Sequence, residues 1–371
     1  MRVLLLNPPI TVYEGGTNPR IFMPLGLLYI AAHLEKEGHE VRVFDALLNA
    51  KLSNAEKKGR YHFGESWDSI RGAIDRYRPE AIGITSMFSS QSPNTKKTAQ
   101  IAKNVDKNII TIVGGAHPSA YPEDMLHDHN IDFVVMGEGE LTMPKLLSAV
   151  NTKESIRNIH GICYTTGEEV IKNAVPDRID YLDEISLPAY HLYDMERYFY
   201  LQTHGFCARP ISYGGREVSI ITSRGCPYNC VFCSIHTVMG KKWRAHSSNY
   251  VLRHIEYLTE RYKVDTVHIE DDNFALDRKR FIDIIDGLSQ KRSLVKWDPT
   301  NGLRADTLDE ETILKAVRAG CQYIIIAVES GVQRVLDEVI DKRLKLEKVR
   351  EIAHICKKLD IELYAYYVIG F

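Results

Sequence analysis

The sequence lacks most of what marks a membrane, secreted or nucleic-acid-coating protein. Its longest apolar-rich stretch, Ile21 to Leu34, is broken by Pro24, Gly26 and His33. It falls short of the ~18 apolar residues that a membrane span needs. No signal-like segment opens the chain, because Arg2–Asn7 followed by Pro8-Pro9 reads as a strand and a loop. No sign of charge dominates. Lys and Arg number 47 against 49 Asp and Glu, which argues against a nucleic-acid partner. No repeat or low-complexity tract appears. With 44% hydrophobic and 26% charged residues, the composition is globular and excludes a disordered chain, a collagen and a coiled coil. Its 371 residues suggest two or three domains. No cysteine occurs before Cys163, the total of seven is odd, and three lie within eight residues. That pattern does not describe a disulfide framework. It suits a reducing cytoplasm, with the tight trio binding metal.

What is present is a βα alternation that runs twice. In residues 1–150, strand-like runs at Arg2–Asn7, Glu40–Phe44, Glu80–Ser86, Ile109–Val113 and Phe133–Met136 alternate with helical spacing. Five strands separated by helices imply an α/β domain with a parallel sheet covered on both faces. Ligands of such sheets sit beyond the C-terminal strand ends, here Asn7–Pro9, Asp45, Thr85–Ser90, Gly114–Pro118 and Gly137–Glu140. Residues 46–66 are polar and read as an insertion. Residues 151–217 read as a connector, with a hairpin over Gly161–Lys172 turning at Thr166-Gly167. From 218 to 371 a second series begins, with strands near Val218–Thr222, Thr266–Glu270, Val295–Pro299, Tyr323–Glu329 and Glu362–Ile369. This is a partial (β/α) barrel of TIM type. Thr307 with Glu310 predicts a capping box, and Gly320 a helix stop. The series ends on a strand, where a barrel wall would leave an unpaired edge, so a C-terminal part is expected to be missing.

The sharpest chemical signal is Cys226-Pro-Tyr-Asn-Cys230-Val-Phe-Cys233, just after a barrel strand. Thiolates bind iron–sulfur clusters, and three of them leave one iron open to another ligand. A zinc site with His236 as fourth ligand is the competing reading. Tyr364 and Tyr366 share one side of the last strand and face either the lumen or packing partners. The run Gly240-Lys241-Lys242-Trp243-Arg244 is a solvated loop, a contact for a phosphate-bearing substrate or a docking point for an electron donor. Cys207, in the connector, is a further candidate to approach the site, while Cys163, Cys321 and Cys356 read as core or hairpin residues.

The C-x3-C-x2-C spacing, with Phe232 before the last cysteine, resembles the radical S-adenosylmethionine enzymes. The resemblance implies that Cys226, Cys230 and Cys233 hold a 4Fe-4S cluster whose open iron chelates S-adenosylmethionine. Reductive cleavage would then give methionine and a 5′-deoxyadenosyl radical. Asp271 or Asp272 would receive the ammonium group, Glu329 and Ser330 would contact the ribose and methionine parts, and Arg304 would face a carboxylate. For Glu329-Ser330-Gly331 a plain strand-to-helix turn is the alternative, and for the acidic pair a solvated cluster or helix cap.

The N-terminal domain resembles the flavodoxin-like (Rossmann-type) cobalamin-binding domain that precedes the barrel in one branch of that family. The resemblance rests on Asn7-Pro8-Pro9, Met23-Pro24-Leu25-Gly26-Leu27, Gly114-Gly115-Ala116-His117-Pro118 and Gly137-Glu138-Gly139-Glu140. It implies cobalamin contacts from Pro9, Thr85, Ser86, Gly114, Gly115, His117, Gly137 and Glu138. The D-x-H-x-x-G motif that places histidine under cobalt is missing: none of the 14 His has Asp two residues earlier. His117 is therefore read as a turn or packing residue rather than a cobalt ligand. A degenerate domain without cobalamin is the alternative.

The whole pattern implies a cobalamin-dependent radical enzyme that methylates an unactivated carbon or phosphorus of a small-molecule substrate. It would draw electrons from a donor such as flavodoxin or ferredoxin. A cyclase or ring-rearranging enzyme of the same architecture is the second reading, and a non-catalytic cobalamin or redox sensor the third. A methylthiotransferase fits less well, since such relatives carry further cysteines in the N-terminal domain.

Overall fold

A computed structural model describes residues 1–13, 19–49, 51–57, 59–206, 214–290 and 295–370. It divides into two compact units, Met1–Ile179 with Ile185–Pro210, and Asp180–Glu184 with Ile211–Phe371.

The first unit is built on one seven-stranded sheet. Strand Arg2–Asn7 is second from one edge and pairs in parallel with the edge strand Glu40–Asp45 on one side and Ala81–Thr85 on the other. Ile110–Gly114 and Phe133–Val135 continue it in parallel. In chain order the five parallel strands lie 2-1-3-4-5, the flavodoxin-like order. The side-chain period of two explains the continuous apolar runs. Leu4 and Leu6 pack on one face with Ile70, Ile74 and Ile101 of covering helices. Val3 and Leu5 pack on the other with Leu27, Leu34 and Leu146. A strand buried on both faces has no polar positions to alternate with.

One expectation changes here. The hairpin Ile162–Thr166 and Glu169–Lys172 does not hang in a connector. It extends the main sheet, pairing antiparallel with Phe133–Val135 and burying Cys163. The polar stretch after residue 46 also has structure. Lys51–Lys57 and Arg60–Gly64 form a small antiparallel sheet with Ile10–Tyr13.

The second unit is a βα series. Glu217–Ile220, Thr266–Ile269 and Lys296–Asp298 form a parallel sheet. Ile324–Glu329 and Leu363–Tyr367 form a second parallel pair. Single bridges, Trp297 to Cys321 and Leu303 to Ile326, link the two pieces. Amphipathic helices Ser248–Tyr262, Arg278–Ser289, Glu310–Arg318 and Leu346–Lys358 cover the outside. Ser247, Asp277 and Asp309 cap three of them through side-chain oxygens. The capping box is Asp309 with Thr312, not Thr307 with Glu310. Thr307 instead closes a short 3-10 turn, its hydroxyl donating to the Arg304 carbonyl at 2.8 Å. Gly320, at φ 95°, follows the helix end as expected. Among the described residues no helix is long and apolar enough to cross a membrane.

Candidate functional site

The strand Glu217–Ile220 delivers the cysteine loop to the C-terminal end of the barrel series. Beneath it, buried His268 lies between two buried carboxylates, 2.6 Å from Asp298 and 3.0 Å from Glu217. These three residues come from three adjacent strands, so the array fixes the register of the strands that carry the site.

The loop itself is pinned at several points. Gly225, at φ 83°, brings its backbone against the chain at 240–242, where a Cβ would stand 2.5 Å from the Lys242 carbonyl. Its amide donates to Asp272 at 3.2 Å. The amide of Cys226 donates to the Gly240 carbonyl at 3.4 Å, and that of Val231 to the Ile340 carbonyl at 3.0 Å. The basic stretch is tied back as well. Lys241 donates to Asn229, Lys242 to Asp180, and the Trp243 indole to the Asn273 carbonyl.

A cavity of about 230 Å³ opens at this loop. Cys226, Cys230, Cys233 and Phe232 line it together with Asp272, Arg304 and Glu329. Burial raises the pKa of the Cys226 thiol, and the Asp272 carboxylate pushes it further. Burial also raises that of Cys230, while Lys342 and Arg304 pull it back. Asp272 is pushed up to about 6, chiefly by burial and further by Asp271.

The two aspartates divide. Asp272 lines the cavity. Asp271 is turned into the protein, where it accepts from the Thr222 amide and from the Thr222 and Ser223 hydroxyls at 2.5–2.6 Å. Arg304 lines the cavity, yet its guanidinium is engaged by Asp306 at 2.7 and 3.0 Å and by the Lys342 carbonyl. Glu329 adopts φ 72°, a left-handed conformation that costs an L-residue energy and recurs at functional sites. Ser330 accepts from the Val332 amide at 3.2 Å, a local turn contact. Tyr366 donates to the Thr300 carbonyl and Tyr364 to Glu362. Cys207 lies outside the described residues.

In the first unit, the C-terminal strand ends carry the other set. Gly115, at φ 114°, has no room for a Cβ, which would meet the Ser86 carbonyl at 2.7 Å. The Ser86 hydroxyl is buried without a partner among the described residues. Met87, Phe88 and Tyr121, which follow these loops, are exposed apolar residues. Thr85 accepts from the Thr95 hydroxyl through its carbonyl, and Gly114 pairs with Thr85 in the sheet. His117 uses both ring nitrogens, 3.0 Å from Ser89 and 3.2 Å from Asp124. Pro9 is buried, its carbonyl accepting from Asn94. Gly137 packs against Pro176, and buried Glu138 accepts from the Ile179 amide. Pro9 and Glu138 are thus buried, while Gly137 is half-buried.

Comparison with known proteins decides the family. Residues 16–147 match the B12 binding domain, and residues 220–371 the Radical SAM superfamily. The chain is 32% identical to cytidylyl-2-hydroxyethylphosphonate methyltransferase of Streptomyces wedmorensis, over all of this chain and 72% of that protein. The chain belongs to the cobalamin-binding radical S-adenosylmethionine enzymes. It is 31% identical to an uncharacterized methyltransferase of Pyrococcus horikoshii, over all of this chain and 74% of that protein. An anaerobic magnesium-protoporphyrin IX monomethyl ester cyclase of Rubrivivax gelatinosus is 27% identical, over all of this chain and 62% of the cyclase. The fold matches the cobalamin-dependent radical enzyme OxsB solved with aqua-cobalamin and S-adenosylmethionine, with TM-score 0.79 at 20% identity. That match covers 99% of this chain, which spans about half, 49%, of the OxsB chain.

The residues present fit the groups that this family of radical enzymes uses. Three thiols lining one cavity suit an iron–sulfur cluster, in which each sulfur takes its own iron. Convergence on one ion is not required, and among the described residues no three His, Cys, Asp or Glu side chains converge so. Zinc would need the thiols and His236 to converge on one ion, and among the described residues no three such side chains do. The partnerless Ser86 hydroxyl and the tight Gly115 turn fit a large ligand lying against the sheet edge.

Among the charged residues of the cavity, Lys342 escaped sequence reasoning. Lys342 lines the wall, buried, with Nζ 2.9 Å from Glu329 Oε1. It stands 13 residues beyond Glu329 in a non-periodic loop. Only the need to pair a buried Glu329 would have pointed to it.

Proposed function

We propose that this chain holds the cofactors of a cobalamin-dependent radical S-adenosylmethionine methyltransferase acting on a small molecule. The observation that carries the reading is the single cavity that unites Cys226, Cys230 and Cys233 with Asp272 and the Lys342–Glu329 pair. A zwitterionic amino-acid end needs an anion for its ammonium and a cation for its carboxylate. Asp272 and Lys342 have those signs. When bound, the cluster and cobalamin supply one-electron cleavage of S-adenosylmethionine and delivery of a methyl group. The chain's own part is to orient these groups and exclude water. Phe232 and Ile235 give the cavity apolar wall. Ser330, next to Glu329 in sequence, would contact the ribose. Ser86, Thr85, Gly114 and Gly115 offer the corrin a close backbone edge, with His117 outside cobalt coordination. The reducing thiol chemistry and a flavodoxin- or ferredoxin-type donor suit the cytoplasm.

Methylation is favoured over cyclisation because two relatives above 30% identity are methyltransferases, while a cyclase is 27% identical. The test uses the complete gene product, prepared without oxygen and supplied with cobalamin, reductant, S-adenosylmethionine and host extract. Equal rises of 5′-deoxyadenosine and S-adenosylhomocysteine, both lost in Cys230→Ala, support methylation. Deoxyadenosine alone supports the cyclase or rearrangase chemistry instead.

A further inference from the structure

We infer that Arg304 is a positioning residue that clamps the cysteine loop and gives it a positive potential favouring the reduced state of a cluster held there. The inference rests on reading the cavity as a cluster site.

Tyr228 sits between Cys226 and Cys230, and the Arg304 guanidinium lies over its ring, 3.7 Å from the centroid. Arginine stacks on aromatic faces while still donating in its own plane. Here Nε and one terminal nitrogen hold Asp306, and both terminal nitrogens reach the Lys342 carbonyl at 3.2–3.3 Å. These contacts use four of the five guanidinium N–H donors, so Arg304 can offer a ligand at most one more without giving up a contact. The same guanidinium therefore ties together the cysteine loop and the segment that presents Lys342. Val231, whose amide donates to the Ile340 carbonyl, closes that tie from the other side.

The charge matters as much as the contact. Arg304 is 8% exposed, whereas the Asp306 side chain is 39% exposed and screened by water. Arg304 lines the cavity and Asp306 does not, so the pair turns its positive end toward the thiols. Lys342 adds a second cation to the cavity lining, offset by Glu329 at 2.9 Å. A one-electron-reduced cluster carries one more negative charge than the oxidised form, so a fixed cation beside it favours reduction.

The test is a redox titration of the iron-loaded holoenzyme, followed by electron paramagnetic resonance, for wild type, Arg304→Met, Arg304→Lys and Tyr228→Leu. Arg304→Met is expected to keep its iron and to shift the midpoint potential negative. Arg304→Lys, which keeps the charge and loses the stack, falls between it and wild type. Tyr228→Leu is expected to lose iron faster than wild type on challenge with a chelator. A potential in Arg304→Met equal to or above wild type overturns the inference. If Arg304→Met takes up no iron, Tyr228→Leu decides: iron held as in wild type overturns the clamp. Loss of iron from both variants supports the clamp if their melting temperatures are unchanged, and overturns it if the fold melts early. Wild type that takes up no iron defeats the cluster reading itself, and this inference with it.

Discussion

Lys342 Nζ and Glu329 Oε1 stand 2.9 Å apart, both side chains buried, in the wall of the cavity that holds Cys230. Removing one partner of a buried ion pair strands the other charge, at a cost of about 3–5 kcal/mol. Lys342→Met should destabilise the protein by roughly that amount, and Glu329→Gln should restore part of it in the double variant. Urea unfolding of the three variants checks this. Binding of S-adenosylmethionine, followed by equilibrium dialysis, should stay lost in the double variant. Recovery of binding there would remove Lys342 from the site.

Asp272 should cost the apo-protein stability. Its folded pKa of about 6 lies above the ordinary 3.8, so the native state binds more protons than the unfolded chain between those values. Stability therefore falls as pH rises from about 4 to 6 and stays lowered above. Asp272→Asn escapes that loss and can keep the contact with the Gly225 amide. The variant should be no more stable than wild type near pH 4, and about 1–3 kcal/mol more stable at pH 7.5. Its affinity for S-adenosylmethionine should fall. Equal stability at both pH values would contradict the account.

Ser86→Ala and Gly115→Ala should separate ligand binding from folding. Ser86→Ala deletes a buried hydroxyl that has no partner, so stability should hold or rise by about 1 kcal/mol. Cobalamin affinity, read by absorbance titration, should drop. Gly115→Ala drives a Cβ against the Ser86 carbonyl in a left-handed conformation and should lower both.

His117→Gln should leave the absorption spectrum of bound cobalamin unchanged, because the imidazole is already committed to Ser89 and Asp124. A spectral change typical of losing an axial nitrogen would overturn that assignment.

Much of the architecture was legible in the sequence. Apolar runs such as Val3–Leu6 report burial on both faces, and the glycine turns mark the strand ends. The cysteine spacing marks its own chemistry. What escaped depends on long-range partners. The hairpin 162–172 reads the same whether it hangs free or pairs with Phe133–Val135. Asp271 and Asp272 are adjacent, and only the fold turns one toward Thr222 and Ser223 and the other toward the cavity. Arg304 looks like a ligand-binding cation until Asp306, two residues on, is seen to hold it. At the helix start, Asp309 outcompetes Thr307 because its carboxylate reaches the Thr312 amide.

The central claim is that Cys226, Cys230 and Cys233 hold a cluster with one iron open to S-adenosylmethionine. Mössbauer spectroscopy of the iron-57-loaded protein, prepared without oxygen, tests it most directly. The account predicts roughly four irons per chain, with about a quarter of the signal shifting when S-adenosylmethionine is added. It also predicts that Asp272→Asn and Lys342→Met weaken that shift. A single iron or zinc per chain, or a four-iron signal that S-adenosylmethionine leaves untouched, would contradict it.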